Sequence, residues 1–281
     1  MCNLNMKNIQ IRQIFFETEL ELEQLVELQN VVYKEKGRVF TKDNFRHWYQ
    51  GNPCGEVISF NAFSEDKMVA HYACVRKKML IDNRVVEGLL DISTVTHPDY
   101  RGRGLFKTLA ELSFDYARKN GIEFVVGVAN ANSFPGYMKY FPFQFVAQLD
   151  VKVGYGYSLK EEDGKIFSGY WDIDTLQWRC RSSYKKTQST ILGNYGKYAR
   201  TLLGCFSTEL LKFSNLRQNK ISLKPILYVG LGAKPKGIFI NVPKFIRPSP
   251  FNLIFMDLTE GKLPKVTKEN IFFQLFDFDV A

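Results

Sequence analysis

Two arginines alternate with two glycines at Arg101-Gly102-Arg103-Gly104, and an apolar helical stripe of Leu105, Leu109, Leu112 and Tyr116 begins at the next residue. Residue types in that order suit the capture of a polyanion. Glycines turn the chain tightly and let backbone N–H groups come close to a ligand. A helix N-terminus adds partial positive charge, worth about 0.3–1 kcal/mol to an anion. Arginines add full charge and forked donors. The combination fits a pyrophosphate; the bland rival is a plain turn with two surface arginines. Two familiar phosphate loops do not fit. A Walker loop needs Gly-Lys-Ser/Thr, which the chain lacks. A dinucleotide fingerprint needs a third glycine where Lys107 stands.

Other reactive residue types are scattered. The five cysteines, Cys2, Cys54, Cys74, Cys180 and Cys205, are odd in number and never form a Cys-x-x-Cys pair. They read as reduced thiols. His47, His71 and His97 have no second histidine or cysteine at ligand spacing, so no metal site is expected. No Gly-x-Ser-x-Gly elbow is present.

The elements around the glycine loop follow from periodicity. Residues 9–15 read as a strand, and 19–35 as a helix with Leu22, Leu25, Val26 and Leu28 on one stripe. Residues 41–50 predict a second, short helix capped by Thr41 or Asp43 and ended by Gly51-Asn52-Pro53. Strand patterns at 57–64, 68–80 and 88–96, with Glu65-Asp66-Lys67 and Asp82-Asn83-Arg84 between them, predict an antiparallel meander. The loop and its helix follow, stopped at Asn120-Gly121. Residues 124–129 are apolar throughout, as in a strand buried on both faces. A short helix at "SFPGYMKY" and a strand at 143–153 complete the series.

Strand, turn and helix in this order, with the phrase "HPDYRGRGL", resemble the GCN5-related N-acetyltransferase (GNAT) superfamily. Its signature, Arg/Gln-x-x-Gly-x-Gly/Ala, reads here Arg101, Gly102, Arg103, Gly104, Leu105 and Phe106, departing at Phe106, where a small residue is usual. A second family pattern, Asn-x-x-Ala/Ser-x-x-x-Tyr, is matched by Asn130, Ser133 and Tyr137. The resemblance implies a GNAT-type α/β fold: a mixed, mostly antiparallel sheet flanked by helices. It also implies acetyl-CoA as donor, held by residues 101–106, by Asn130 and Ser133, and by the backbone of Thr94, Val95 and Thr96. The acetyl group would pass to a primary amine by direct attack in a ternary complex. Tyr137 matches the family's acid. Glu87 and Asp91 share strand parity and are the candidate bases, with a water relay as the alternative.

The resemblance covers roughly residues 7–153, taken as an acetyltransferase domain 1–153. Residues 154–165 are Gly-rich and polar and read as a linker; 166–281 read as a second α+β domain. A faint echo of residues 43–50 at 172–180 raises a degenerate GNAT-like copy for that half. Its strands are expected in "PILYVGLG", "KGIFINV", "PFNLIFMDL" and "NIFFQLFDFDV", the last with Phe276, Phe278 and Val280 alternating with Asp277 and Asp279. The net charge of +9 is uneven: residues 1–159 hold 19 Lys and Arg against 18 Asp and Glu, residues 160–281 hold 19 against 11. With no dense run, a solvated basic face is favoured over a nucleic-acid partner. No stretch has the length of a membrane span, and "MCNLNMKNIQIRQ" lacks an apolar signal segment, so a cytoplasmic protein is expected. The partners expected are a coenzyme A thioester and a small amine, for example an amino sugar. The rivals are an inactive acyl-CoA-binding module and an aminoacyl transferase using charged tRNA.

Overall fold

The computed structural model describes residues 8–33, 39–161, 163–180, 195–197, 204–206, 226–247 and 249–278. The chain divides into two compact units, residues 1–77 with 89–123, and residues 78–88 with 124–281.

The first unit holds β1 (Ile9–Gln13), α1 (Glu19–Tyr33), α2 (Lys42–Phe45), β2 (Ile58–Ser64), most of β3 (Lys67–Ile81) and of β4 (Arg84–Thr96), and α3 (Leu105–Lys119). β1 pairs antiparallel with β2, β2 antiparallel with β3, and β3 lies beside β4. Both expected meander turns are present. Glu65 and Asp66 have φ of 49° and 57°, Asp82 and Asn83 of 47° and 63°. Two successive left-handed residues match the twist of a tight hairpin, and short acidic or amide side chains tolerate that region best. α2 starts where Asn44 Oδ1 accepts the Thr41 N–H at 2.7 Å, and it runs on into a π-helical turn, Arg46–Gln50, that ends at Gly51. Asn120 caps α3, and Gly121 follows with φ of 72°.

Neighbouring residues on β3 show how the layers stack. Tyr72 meets Phe114 and Phe106 of α3, with ring centroids 5.8 and 6.2 Å apart. His71, the residue before, meets Tyr49 of the π-turn. Successive side chains on a strand point to opposite faces. α3 and the α2 turn therefore cover opposite sides of this sheet. α1 buries Leu22, Leu25 and Leu28, and Gln29 Nε2 donates to Ser93 Oγ at 2.9 Å, tying α1 to β4.

The second unit holds β5 (Phe124–Ala129), α4 (Phe134–Tyr140), β6 (Gln144–Gln148), β7 (Asp150–Glu161), β8 (Phe167–Gly169), α5 (Ile173–Cys180), β9 (Tyr195–Lys197), β10 (Gly204–Phe206), β11 (Ile226–Leu231), β12 (Ala233–Asn241), β13 (Asn252–Asp257) and β14 (Ile271–Gln274). β13 lies between β5 and β6, antiparallel to both, with Leu253 opposite Val128 on one side and Ala147 on the other. β7 carries β11 and β12 on its two sides, and β14 links β11 to β8, which pairs with Met79–Ile81 at the end of β3. Among these pairings only β10 with β11 and β8 with β14 are parallel. A mixed, mostly antiparallel sheet with flanking helices is the expected fold class.

Three local expectations change. The single strand at 143–153 is two strands, divided at Leu149, whose N–H donates to Phe251 O at 3.0 Å. Residues 154–161, the first part of the stretch read as a linker, belong to β7. The terminal Phe/Asp alternation is not a strand: a 3-10 turn at Leu275–Asp277 buries Phe276, Asp277 and Phe278 together. Asp277 Oδ2 accepts the Gln274 N–H at 3.0 Å, and burying this carboxylate satisfies a backbone donor that an outward side chain would leave open. Asp279 and Val280 lie outside the described residues, as does Cys2.

Candidate functional site

β4 ends in a loop shaped by short-range bonds. His97 N–H donates to Val69 O at 2.9 Å, which keeps β4 paired to its last residue. A 3-10 turn, Pro98–Tyr100, follows, and His97 Nδ1 accepts the Asp99 N–H at 3.3 Å. His97 is thus a turn residue. The chain then needs two left-handed residues, and glycine stands at both: Gly102 has φ of 75° and Gly104 of 76°. No heavy atom lies within 4 Å of where a Cβ would stand on either glycine, so the space beside both glycines is open.

Gly104 is also the N-cap of α3, and no side chain caps that end. The N–H groups of Leu105, Phe106 and Lys107 have no acceptor within the helix, as at any helix start. Both arginines are held at this mouth. Arg101 Nε donates to Thr96 O at 3.4 Å. Arg103 Nη2 donates to Asp99 O at 3.1 Å, and its guanidinium lies 4.7 Å from the Tyr100 ring centroid. Each guanidinium has five N–H donors, so one such bond fixes its position and leaves others for an anion. Leu105 points into the core, and Phe106 lies half-buried against Tyr72, away from the open side of the loop.

On β4, Val95 is buried while Thr94 and Thr96 are half-buried. The two candidate bases differ. Asp91 is half-buried, three residues before Thr94, and its charge is felt by Cys74: burial first, then Asp91, holds that thiol well above its usual range. Glu87 is exposed near the hairpin tip, in residues that belong to the second unit.

Asn130, Ser133 and Tyr137 lie in the second unit. Asn130 Oδ1 accepts the N–H groups of Asn132 at 2.8 Å and Ser133 at 3.0 Å, and Asn130 O accepts that of Phe134 at 3.0 Å. Asn130 thereby starts α4, and Ser133 O receives the N–H of Tyr137 at 3.2 Å. Tyr137 is only 2% exposed, its ring centroid 5.3 Å from that of Phe143 and 6.3 Å from that of Phe141.

One buried polar cluster escaped the sequence reading. His71 Nδ1 lies 2.6 Å from Asn61 Oδ1, its Nε2 lies 2.9 Å from Tyr49 Oη, and Asn61 Nδ2 donates to Ser59 Oγ at 2.9 Å. Burial lowers the His71 pKa to about 3, so the ring is neutral. A neutral imidazole donates from Nδ1 to Asn61 and accepts the Tyr49 hydroxyl at Nε2. Nothing in the spacing of residues 49, 59, 61 and 71 signals that they meet; only the β2–β3 register and the π-turn bring them together.

Comparison with known proteins follows the same line. Residues 14–141 match the family model described as the acetyltransferase (GNAT) domain. No curated protein matches the chain by sequence. Among solved structures, a conserved protein of unknown function from Enterococcus faecalis, described as a probable N-acyltransferase, superposes with a TM-score of 0.52 at 8% identity, covering 89% of this chain and 73% of that one. A GNAT-family acetyltransferase from Staphylococcus aureus gives 0.39 at 14% identity, over 50% of this chain and 87% of that one. The GNAT-family N-acetyltransferase YhbS from Escherichia coli, solved in complex with CoA, gives 0.35 at 13% identity, over 49% and 69%. The Enterococcus likeness extends the similarity of fold through most of the chain. The signature at residues 101–106, the loop built from it and the family match agree: residues 14–141 are similar to the acetyltransferase (GNAT) domain.

Proposed function

We propose that the protein is an acetyl-CoA-dependent N-acyltransferase that acetylates a primary amine of a small molecule. The observation that carries this reading is the open, uncapped N-terminus of α3, with Gly102 and Gly104 in left-handed conformations and Arg101 and Arg103 anchored beside it. These groups fit the pyrophosphate of coenzyme A. When bound, the thioester supplies an activated acetyl group. Backbone groups of Thr94–Thr96 hold the pantetheine arm in this reading, and Asn130 and Ser133 orient the start of α4.

The residues then divide the proton chemistry. The amine must be neutral to attack, so a base takes its proton as the C–N bond forms. Asp91 is the better candidate, because it lies on β4 close to Thr94, whereas Glu87 is exposed at the far end of the strand. As the C–S bond breaks, Tyr137 protonates the departing thiolate. Tyr137→Phe keeps the ring against Phe143 and removes only the hydroxyl, so it separates acid from packing. The catalytic groups are assigned to residues 1–153, and residues 166–281 are assigned to shaping the acceptor side.

Calorimetry with acetyl-CoA tests the donor site. Arg101→Ala with Arg103→Ala should weaken binding by at least about tenfold, the loss of two charge-assisted contacts of about 1.5–3 kcal/mol each being partly offset by solvation. Unchanged affinity would remove the site assignment. Asp91→Asn should lower kcat, with the loss recovered in part at higher pH, where more amine is neutral; thiol release across a panel of amines and amino sugars reads both activity and acceptor.

A further inference from the structure

Ile238 on β12 is 80% exposed, and Ile240 two residues on is exposed as well. Both point away from the core, because Phe239 between them packs against the buried cluster of Tyr228, Ala233 and Phe272. The ladder sets Ile238 opposite Tyr155 and Ile240 opposite Val153 on β7. Directly opposed residues share a face, so the exposed Tyr155 ring extends the same apolar strip. Just past the strand, a short 3-10 turn, Lys244–Ile246, raises Phe245, 88% exposed, with Ile246 exposed beside it. This turn is braced. Val242 N–H donates to Val151 O at 2.8 Å, Ile246 N–H to Pro243 O at 3.2 Å, and Arg247 Nε to Val242 O at 2.9 Å.

The charge along β12 and the turn after it is one-sided: residues 233–247 hold Lys234, Lys236, Lys244 and Arg247 and no Asp or Glu. Lys244 and Arg247 flank the Phe245-Ile246 pair directly, and Lys234 is exposed on β12, opposite Lys160 in the ladder.

We propose that the outer face of β12 and β7, led by the Phe245-Ile246 turn, docks onto an anionic lipid bilayer. Apolar tips enter the interface while the flanking basic residues meet acidic headgroups, and the two contributions add. The alternatives fit the same surface less well. A second copy would set one positive surplus against another. A nucleic acid would offer phosphates to aliphatic side chains that cannot bind them. The association proposed is peripheral, made by side chains of a strand face and a short turn; no helix among the described residues is long and apolar enough to cross a membrane.

Co-sedimentation of the full chain with vesicles tests this. Vesicles of phosphatidylcholine with about 30% phosphatidylglycerol should carry the protein down at about 0.15 M salt, and pure phosphatidylcholine should not. Phe245→Ser with Ile246→Ser should weaken partitioning by about tenfold or more, the apolar anchor being lost. Lys244→Glu should weaken it while keeping the anchor, and circular dichroism should show each variant folded. Absence of binding to anionic vesicles overturns the proposal, as does equal binding by the folded double variant. A dimer in analytical ultracentrifugation that the double variant dissociates would assign the face to a second copy and overturn it too.

Discussion

Phe106 breaks the family's habit of a small residue after the second glycine, and its surroundings explain why it is tolerated. The ring turns toward Tyr72 of β3, so the loop keeps its open side and the Phe106 N–H stays at the helix mouth. His71 shows the opposite relation between a residue and its setting. Its buried ring is neutral, with a pKa held at about 3 by burial. In the unfolded chain the same group titrates near about 6.5. Between those values the unfolded state binds a proton that the folded state refuses, so stability falls as pH drops from about 6.5 toward 3, by at most about 1.4 kcal/mol per pH unit. Urea midpoints taken across that window should decline more steeply for the wild type than for His71→Gln. The variant should also be weaker at neutral pH, because Tyr49 and Asn61 lose their partner. Parallel slopes would show that His71 does not titrate as described.

At the scale of elements, glycine decides how closely neighbours pack. Gly88 lies under the ring of Phe124, and a Cβ there would stand 2.2 Å from its nearest atom. Phe124 is fully buried and stacks on Phe255 at 5.5 Å, so it has nowhere to move. Gly88→Ala should cost about 3 kcal/mol or more, at the upper end of overpacking, visible as a lowered Tm. Gly169 is constrained in the same way, since a Cβ would stand 2.1 Å from Asp277 Oδ1 and 2.7 Å from Trp171 Nε1. The hairpin turns, the α3 stop and the loop glycines were all legible beforehand, because each is set by a few adjacent residues. The division at Leu149 was not, because it depends on Phe251, about a hundred residues away.

For the whole molecule, β13 is the element that matters most. Leu253, Ile254, Phe255 and Met256 are buried, and the strand pairs on both sides, with β5 and β6. A chain ending at residue 153 would leave β5 and β6 with unpaired apolar edges. Such a fragment should aggregate or remain unfolded, and size-exclusion chromatography with circular dichroism would show it; a folded monomer would contradict the importance given to β13. Catalytic residues assigned to 1–153 would then depend on a strand that the sequence supplies only after residue 250. The stretch "PFNLIFMDL" reads as a strand from the sequence, and β13 lies within it. Its place in the sheet does not follow from the sequence, because a short apolar run pairs equally well with many others, and the choice is made by long-range burial.

The sequence by itself determined the glycine-arginine loop and the elements around it, because local backbone demands and a compact motif carry that information: two left-handed residues need Gly102 and Gly104, and an uncapped helix start with Arg101 and Arg103 suits an anion. Only the tertiary structure decided that β13 separates β5 from β6, that His71, Asn61 and Tyr49 form one buried network, and that Ile238 and Phe245 face outward. Each of these rests on contacts between residues far apart in the chain, where the free energy lies in burial and pairing that no local pattern records.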